Sequence, residues 1–248
     1  MDLKEFFRQH PKAAIAFSGG VDSSYLLYAA LQCGADVRAY YVKGAFQPQF
    51  ELDDAQRLAR DIHAPMTVLR ADVLRDETVT ANPANRCYYC KKVVFSSIAQ
   101  AALADGYTVL LDGTNASDDA GDRPGMRALQ ELQVLSPLRL CGLTKPEIRR
   151  LSEEARLFTW DKPAYACLAT RIPTGEKITA EKLSATESAE GELFAMGFTD
   201  FRVRWYAGAA RLQFPAVQLP RVLERREEIL TKLKEYYPAV LLDLEVRG

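Results

Sequence analysis

The stretch Ala16-Phe17-Ser18-Gly19-Gly20-Val21-Asp22-Ser23-Ser24-Tyr25 constrains this chain more than any other. A compact apolar run at 13–17 precedes it, short enough to be one buried parallel strand. After it, Leu26, Leu27, Ala30 and Leu31 recur at helical spacing, so a helix follows from Val21. The Ser-Gly-Gly turn therefore stands between a strand end and a helix start, where backbone N–H groups lack partners and the helix dipole favours an anion. Two glycines let the backbone curl round a phosphate without a Cβ in the way. Ser18 and Ser23 add hydroxyl donors, and Asp22 is placed to hold a Mg²⁺ that bridges phosphates. The turn reads as a nucleotide phosphate cradle.

A Walker loop would end in Gly-Lys-Ser/Thr, and a dinucleotide fingerprint needs Gly-x-Gly-x-x-Gly; neither is present. Ser18-Gly19-Gly20-Val21-Asp22-Ser23 instead resembles the PP-loop of ATP pyrophosphatases, which split ATP between its α and β phosphates and hand AMP to a substrate oxygen. The wider pattern agrees. Strands at 36–42, 66–69 and 107–111 alternate with amphipathic helices at 48–62 and up to Gly106. That alternation predicts an α/β fold with a parallel sheet flanked by helices, ligands lying at the strands' carboxyl ends. The run Asp112 to Asp119 follows the last of these strands. Thr114, Asn115 and Asp118 in it are placed to reach ATP or its metal, although Asn, Ser and Asp also simply form turns. Thr144-Lys145-Pro146-Glu147 is a capping box opening a helix to about Leu157, read as structural.

From Thr179 the pattern changes to a long helix ending at Met196, strands at 201–206 and 210–214, a charged helix at 220–236 and a strand at 240–246. Two domains are expected: residues 1–162, binding ATP, and 163–248, a smaller α+β domain that includes the junction loop. The 48% hydrophobic, 26% charged composition is that of a globular protein, and the net charge of −1 offers nucleic acid no global attraction. No signal-like N-terminus or long apolar run is seen, so a cytoplasmic protein is expected, with neither membrane nor nucleic acid as partner.

Five cysteines in a reducing compartment argue against a disulfide framework. Cys33 and Cys141 lie in apolar settings. Cys87 and Cys90 form a Cys-x-x-Cys at a helix start, with Arg86, Lys91 and Lys92 beside them to favour thiolates. Such a pair suits a redox dithiol or a metal, or is incidental. Zinc takes four ligands, and His10 and His63 are the two histidines available. Cys167 lies in a loop bracketed by Pro163, Pro173 and Gly175. With Arg171 close by it reads as an activated nucleophile or as a thiol packed inward.

These features together resemble the LarE family, ATP-dependent sulfur transferases that build the nickel-pincer nucleotide cofactor. The matching stretches are 18–23, 86–91, 113–118 with Arg123-Pro124-Gly125, Ser136-Pro137-Leu138 with Leu143-Thr144-Lys145, 166–179 and Arg202-Val203-Arg204. The resemblance implies that ATP adenylylates a carboxylate of pyridinium-3,5-biscarboxylic acid mononucleotide and that sulfur then displaces AMP. Ser18, Gly19, Gly20 and Ser23 would cradle the phosphates, and Asp22 would help hold Mg²⁺. Arg171, Arg202 and Arg204 would serve substrate or phosphate. Cys167 matches the position whose sulfur is sacrificed in one branch. Cys87 and Cys90 are additions to that branch. They resemble a second, in which three cysteines carry a [4Fe–4S] cluster with one open iron. The cluster is favoured here, with the sacrificial cysteine, a PP-loop tRNA thiolase, an amide-forming ligase and a non-catalytic redox or iron–sulfur protein as rivals. The family tends to oligomerise, so a homo-oligomer is expected.

Overall fold

A computed structural model describes residues 1–118 and 124–247. In chain order the elements are α1 (Leu3–Gln9), β1 (Lys12–Ala16), α2 (Val21–Gln32), β2 (Asp36–Lys43), α3 (Gln49–Asp61), β3 (Met66–Arg70), α4 (Glu77–Thr80), α5 (Arg86–Ala104) and β4 (Leu110–Leu111). There follow α6 (Pro124–Glu131), α7 (Pro137–Leu140), α8 (Lys145–Glu154), α9 (Ala180–Ala195), β5 (Arg202–Tyr206), β6 (Ala209–Gln213), α10 (Leu219–Glu224), α11 (Arg226–Leu233) and β7 (Val240–Leu242). The chain divides into two compact units, 1–73 with 85–162, and 74–84 with 163–248.

The first unit is a four-stranded sheet in the order β3-β2-β1-β4, parallel throughout. This is the α/β architecture expected from the alternation of strand and helix patterns. Ala13, Ala14 and Ile15 of β1 are fully buried, as a central parallel strand covered on both faces requires. α2 buries Leu26, Leu27 and Ala30 against the sheet, and α3 buries Leu52, Ala55, Leu58 and Ala59 at helical spacing. The chain leaves β1 toward β2 on one side, while β4 pairs on the other. The carboxyl ends of β1 and β4 thus flank a topological switch point, the usual ligand crevice of such sheets.

The fourth strand is shorter than its apolar run. Tyr107 N donates to Ala102 O at 2.8 Å, closing α5, and the strand is left with Leu110 and Leu111, Val109 O accepting from Ala14 N just before it. Leu135 then extends the sheet's edge by bonding to both Leu110 O and Asp112 N.

In the second unit β5 and β6 form an antiparallel hairpin, and β7 joins β6 in parallel. Ala207 and Gly208 both have positive φ (48° and 85°), which matches the hairpin's turn to the strand twist. α9 and α11 close a core of Leu193, Phe198, Phe201, Val203, Phe214, Leu233 and Tyr237. The helix expected over 220–236 is broken at Arg225, whose guanidinium turns back to Met196 O at 2.7 Å. The last strand covers three residues rather than 240–246. Segment 74–84 joins this unit through Asn82, whose side-chain amide donates to Pro173 O at 2.7 Å and Glu176 O at 3.2 Å while its backbone carbonyl accepts from Gly175 N at 2.8 Å.

Candidate functional site

The Ser-Gly-Gly turn caps α2 with backbone alone. Gly20 is the N-cap and no side chain satisfies the first N–H groups of the helix. The turn's hydroxyls face each other: Ser18 Oγ and Ser23 Oγ are 3.0 Å apart, Ser18 Oγ accepts from Gly20 N at 3.3 Å, and Ser23 Oγ accepts from Ser18 N at 3.3 Å. Gly19 has φ +73°, and a Cβ there would lie 3.0 Å from Ala55 Cβ and 3.2 Å from Glu51 O. Glycine is required by both conformation and space. An anion-sized cradle with open N–H donors fits the phosphates of ATP.

The loop after β4 closes the cradle's other side. A Cβ on Gly113 would stand 2.9 Å from Ser23 N, so this loop's backbone touches the start of α2. Buried Asp112 shapes it, accepting from Thr114 Oγ1 at 2.5 Å and Ser136 Oγ at 2.6 Å. Buried Asn115 donates to Asp22 Oδ1 at 3.3 Å, and its N–H donates to Asp118 Oδ2 at 3.0 Å. Two carboxylates therefore attach to one asparagine, a donor set that suits Mg²⁺ shared with phosphates. The cation that Asp22 meets is Lys145, its Nζ 2.5 Å from Oδ2. Lys145 is a candidate site residue that sequence reasoning left as part of a helix start. Its capping box is present, but the same backbone that starts α8 also donates from Lys145 N to Ser117 Oγ at 2.9 Å, and the ammonium reaches Asp22 at the cradle. Asp119 and Arg123 lie outside the described residues.

Beside the cradle, a cavity of about 330 Å³ is lined by Cys87, Lys91, Thr114, Asp118, Gly125 and Met126, among others. The first unit thus brings Cys87 together with the loop after β4. Cys87 is exposed and Cys90 half-buried, both in the first turns of α5, as the spacing predicts. Arg86 Nη2 stands 3.9 Å from Cys87 Sγ. Cys33 and Cys141 are elsewhere, at the ends of α2 and α7, and burial pushes both thiols up from their ordinary value.

Cys167 lies in the second unit, half-buried, immediately before a one-turn 3₁₀ helix, Leu168–Arg171. Its carbonyl accepts from Thr170 N at 2.9 Å and Thr170 Oγ1 at 2.8 Å. Three arginines fix this loop. Arg171, fully buried, forms a two-point pair with Glu190 (2.7 and 3.2 Å) and donates to Ala166 O at 3.0 Å. Arg202, buried, donates to Ala164 O at 2.5 Å, and half-buried Arg204 donates to Thr170 O at 2.9 Å. Burial, then the charge of Arg171, lowers the Arg202 guanidinium to about 10. Glu190 also accepts from Tyr165 OH at 2.5 Å and Val203 N at 3.0 Å. Burial and the Glu190 carboxylate together push the Tyr165 phenol far up. The arginines expected at a substrate are thus engaged with loop carbonyls and a buried carboxylate, Glu190, which no motif marks. Among the described residues no group of three or more His, Cys, Asp or Glu is gathered as a metal site, and no helix is long and apolar enough to cross a membrane.

No family model matches the sequence. Individual relatives do. An uncharacterized protein of Synechocystis sp. is 36% identical over 225 residues, 90% of this chain and 84% of that protein. The pyridinium-3,5-bisthiocarboxylic acid mononucleotide synthase of Lactiplantibacillus plantarum is 30% identical over 236 residues, 94% of this chain and 86% of that one. The tRNA-specific 2-thiouridylase MnmA of Thermotoga sp. is 25% identical over 58% of this chain, which spans about half (52%) of that enzyme. With an α/β nucleotide cradle at the switch point and a relative of this extent, the chain belongs to the LarE family of PP-loop sulfur-transferring enzymes.

Proposed function

We propose that this protein uses ATP to activate a carboxylate of pyridinium-3,5-biscarboxylic acid mononucleotide and replaces the activated oxygen by sulfur. The observation that carries the reading is the cradle at the switch point: open N–H donors of α2, the Ser18 and Ser23 hydroxyls, and the Asp22–Lys145 pair, with Asn115 linking Asp22 to Asp118, which lines a cavity together with Cys87. The Lactiplantibacillus plantarum relative is a pyridinium-3,5-bisthiocarboxylic acid mononucleotide synthase, and the biscarboxylic acid is the oxygen counterpart of that product.

In this reading a substrate carboxylate oxygen attacks the α-phosphorus, the bond to the bridging oxygen breaks, and pyrophosphate leaves with its electrons. The N–H groups of α2 and the Lys145 ammonium stabilise the charge that grows on the leaving group. Asp22 and Asp118 would hold the Mg²⁺ that neutralises the phosphates. Thr114 and Asn115 lie on the loop that carries Asp118, and Asn115 ties that loop to Asp22. A sulfur nucleophile then adds to the acyl carbon, and AMP departs with the carbon–oxygen bonding pair.

The source of sulfur separates two versions. Cys87, Cys90 and Cys167 stand outside any disulfide, and three thiolates are a donor set whose chemistry suits three sites of a [4Fe–4S] cluster. Such a cluster, when bound, supplies sulfide at its open iron. In the other version Cys167 itself forms the thioester, then loses its Cα proton and breaks its Cβ–Sγ bond, leaving dehydroalanine and the thiocarboxylate. Arg171, Arg202 and Arg204 hold the Cys167 loop in either version, and any free donor they keep is available to a substrate phosphate.

The deciding measurement is iron and acid-labile sulfide per chain after anaerobic reconstitution, in the wild type and in Cys87→Ala. About four of each, lost in the variant, supports the cluster. No iron in either, with Cys167 lighter by the mass of H₂S after turnover, supports sacrifice. Pyrophosphate release that ignores the pyridinium nucleotide would overturn the substrate, and thiolation of tRNA would replace it.

A further inference from the structure

The helix that presents Cys87 and Cys90 begins without a cap. Asn85 stands at the N-cap position with φ −94° and ψ 19°, and its side chain satisfies no N–H of the first turn. An uncapped first turn frays readily, and fraying here would carry both thiols with it. α6 braces this turn from the side. Glu131 Oε2 accepts from Tyr88 OH at 2.7 Å and Lys92 Nζ at 3.1 Å, and its Oε1 accepts from Arg127 Nε at 2.9 Å. The Arg127 guanidinium also lies 5.3 Å from the centre of the Tyr88 ring. At the other end of α6, Gly125 leaves just enough room for the Lys91 stem, since a Cβ would come within 3.1 Å of its Cδ and Cε. The short helix is thus pinned at both ends across residues 88–92.

We propose that Glu131 is a positioning residue for the Cys87 and Cys90 thiols, doing through a lateral clamp what the missing N-cap of α5 does not. The inference rests on the reading of these cysteines as sulfur-handling groups, but the clamp itself is independent of that chemistry. Tyr88, then Lys92 and Arg127, hold the Glu131 carboxyl down at about 2, so the acceptor stays ionised throughout the neutral range. The members are partly exposed (Glu131 34%, Lys92 43%, Arg127 74%), and surface pairs contribute little to global stability. Their effect is local. One carboxylate that gathers three donors orders Tyr88, between the two cysteines, at a smaller entropy cost than three separate pairs would impose.

The experiment uses the full chain with Glu131→Ala and Glu131→Gln, with Tyr88→Phe as a second route to the same contact. Amide exchange at 87–90 and the alkylation rates of Cys87 and Cys90 by iodoacetamide are read by mass spectrometry, with Cys33 as internal reference. In Glu131→Ala, exchange at 87–90 rises at least tenfold, the two thiols' rates change at least threefold relative to Cys33, and ATP affinity stays within twofold. Glu131→Gln, which keeps an acceptor for Tyr88, restores most of the protection. Turnover of the pyridinium nucleotide falls in kcat, with the KM for ATP unchanged. Wild-type exchange and alkylation at 87–90 in Glu131→Ala and Tyr88→Phe would overturn the proposal. A clamp effect with no sulfur transfer by the wild type would instead leave the positioning role standing and sink the functional reading.

Discussion

Lys145 and Asp22, 123 residues apart in the chain, meet at 2.5 Å beside the first turn of α2. The lysine starts one helix and the aspartate another. Their pairing puts a cation at the mouth of a cradle whose other donors are backbone N–H groups. Lys145→Ala is expected to lower substrate-dependent pyrophosphate release by roughly 100-fold or more, the usual cost of removing one preorganised donor. Lys145→Arg should recover part of that loss. Because the pair is partly exposed, its loss should cost stability only ~1 kcal/mol, read as a shift in the denaturation midpoint. Unchanged pyrophosphate release in Lys145→Ala would remove it from the phosphate site.

Gly19→Ala tests the cradle's shape. The substitution meets a positive φ and a 3.0 Å approach to Ala55 together. A destabilisation of about 1–3 kcal/mol is expected, together with at least tenfold weaker ATP binding by calorimetry. A control at Gly34, where a Cβ meets nothing within 4 Å but φ is also +73°, isolates the backbone cost from the contact. Equal losses of ATP affinity in the two variants would sink the steric account.

The buried Arg171–Glu190 pair lets a double substitution be compared with its singles. Removing one partner strands a charge inside the second unit, so Glu190→Leu and Arg171→Met should each cost about 3–5 kcal/mol. The double variant should lose clearly less than the sum of the two, since neither charge is then left alone. Chemical denaturation of the four proteins measures this, and strict additivity would contradict the pairing. Glu190→Gln should also loosen the Cys167 loop, because Tyr165 and Val203 bond to the same carboxylate.

Alkaline stability should depend on Tyr237. Burial pushes its phenol up to about 12, and Thr186 Oγ1 lies 2.9 Å away. A raised folded-state value means that the unfolded chain ionises first. The stability linked to Tyr237 is therefore complete below about pH 10 and is lost as pH rises toward 12. Wild type should lose more stability than Tyr237→Phe between pH 9 and 11.5, by up to about 2 kcal/mol in the denaturation midpoint. Parallel curves for the two proteins would show that the phenol does not titrate with unfolding.

Much of the first unit was legible in the chain. The apolar run at 13–17 and the periodic residues of α2 and α3 report burial directly, because their partners lie on a regular sheet. The short β4 was not, since whether Tyr107 pairs with a strand or closes α5 depends on Ala102 O, a choice that hydrophobicity does not encode. Lys145 was hidden for a related reason: a capping box explains its neighbourhood completely, and only the fold shows where the ammonium reaches. Arg202 and Arg204 fall on a strand whose alternation suggests a solvent face. Their acceptors, Ala164 O and Thr170 O, are more than thirty residues away and are backbone atoms with no sequence signature.

Asn82 gives the chain an order of assembly. Its acceptors at 172, 173 and 176 are synthesised some ninety residues later, and the strap 74–84 that it anchors is counted with the second unit although both flanks belong to the first. The polypeptide therefore passes between the units three times, after 73, after 84 and after 162. No single cut separates them. A nascent chain that has emerged only as far as residue 162 already holds every strand of the parallel sheet, yet its strap has nothing to bind. Maturation of the strap waits for the Ile172–Pro173 turn, and the same late event closes the loop downstream of Cys167. The loop that carries Cys167 thus closes only after every strand of the parallel sheet has been made.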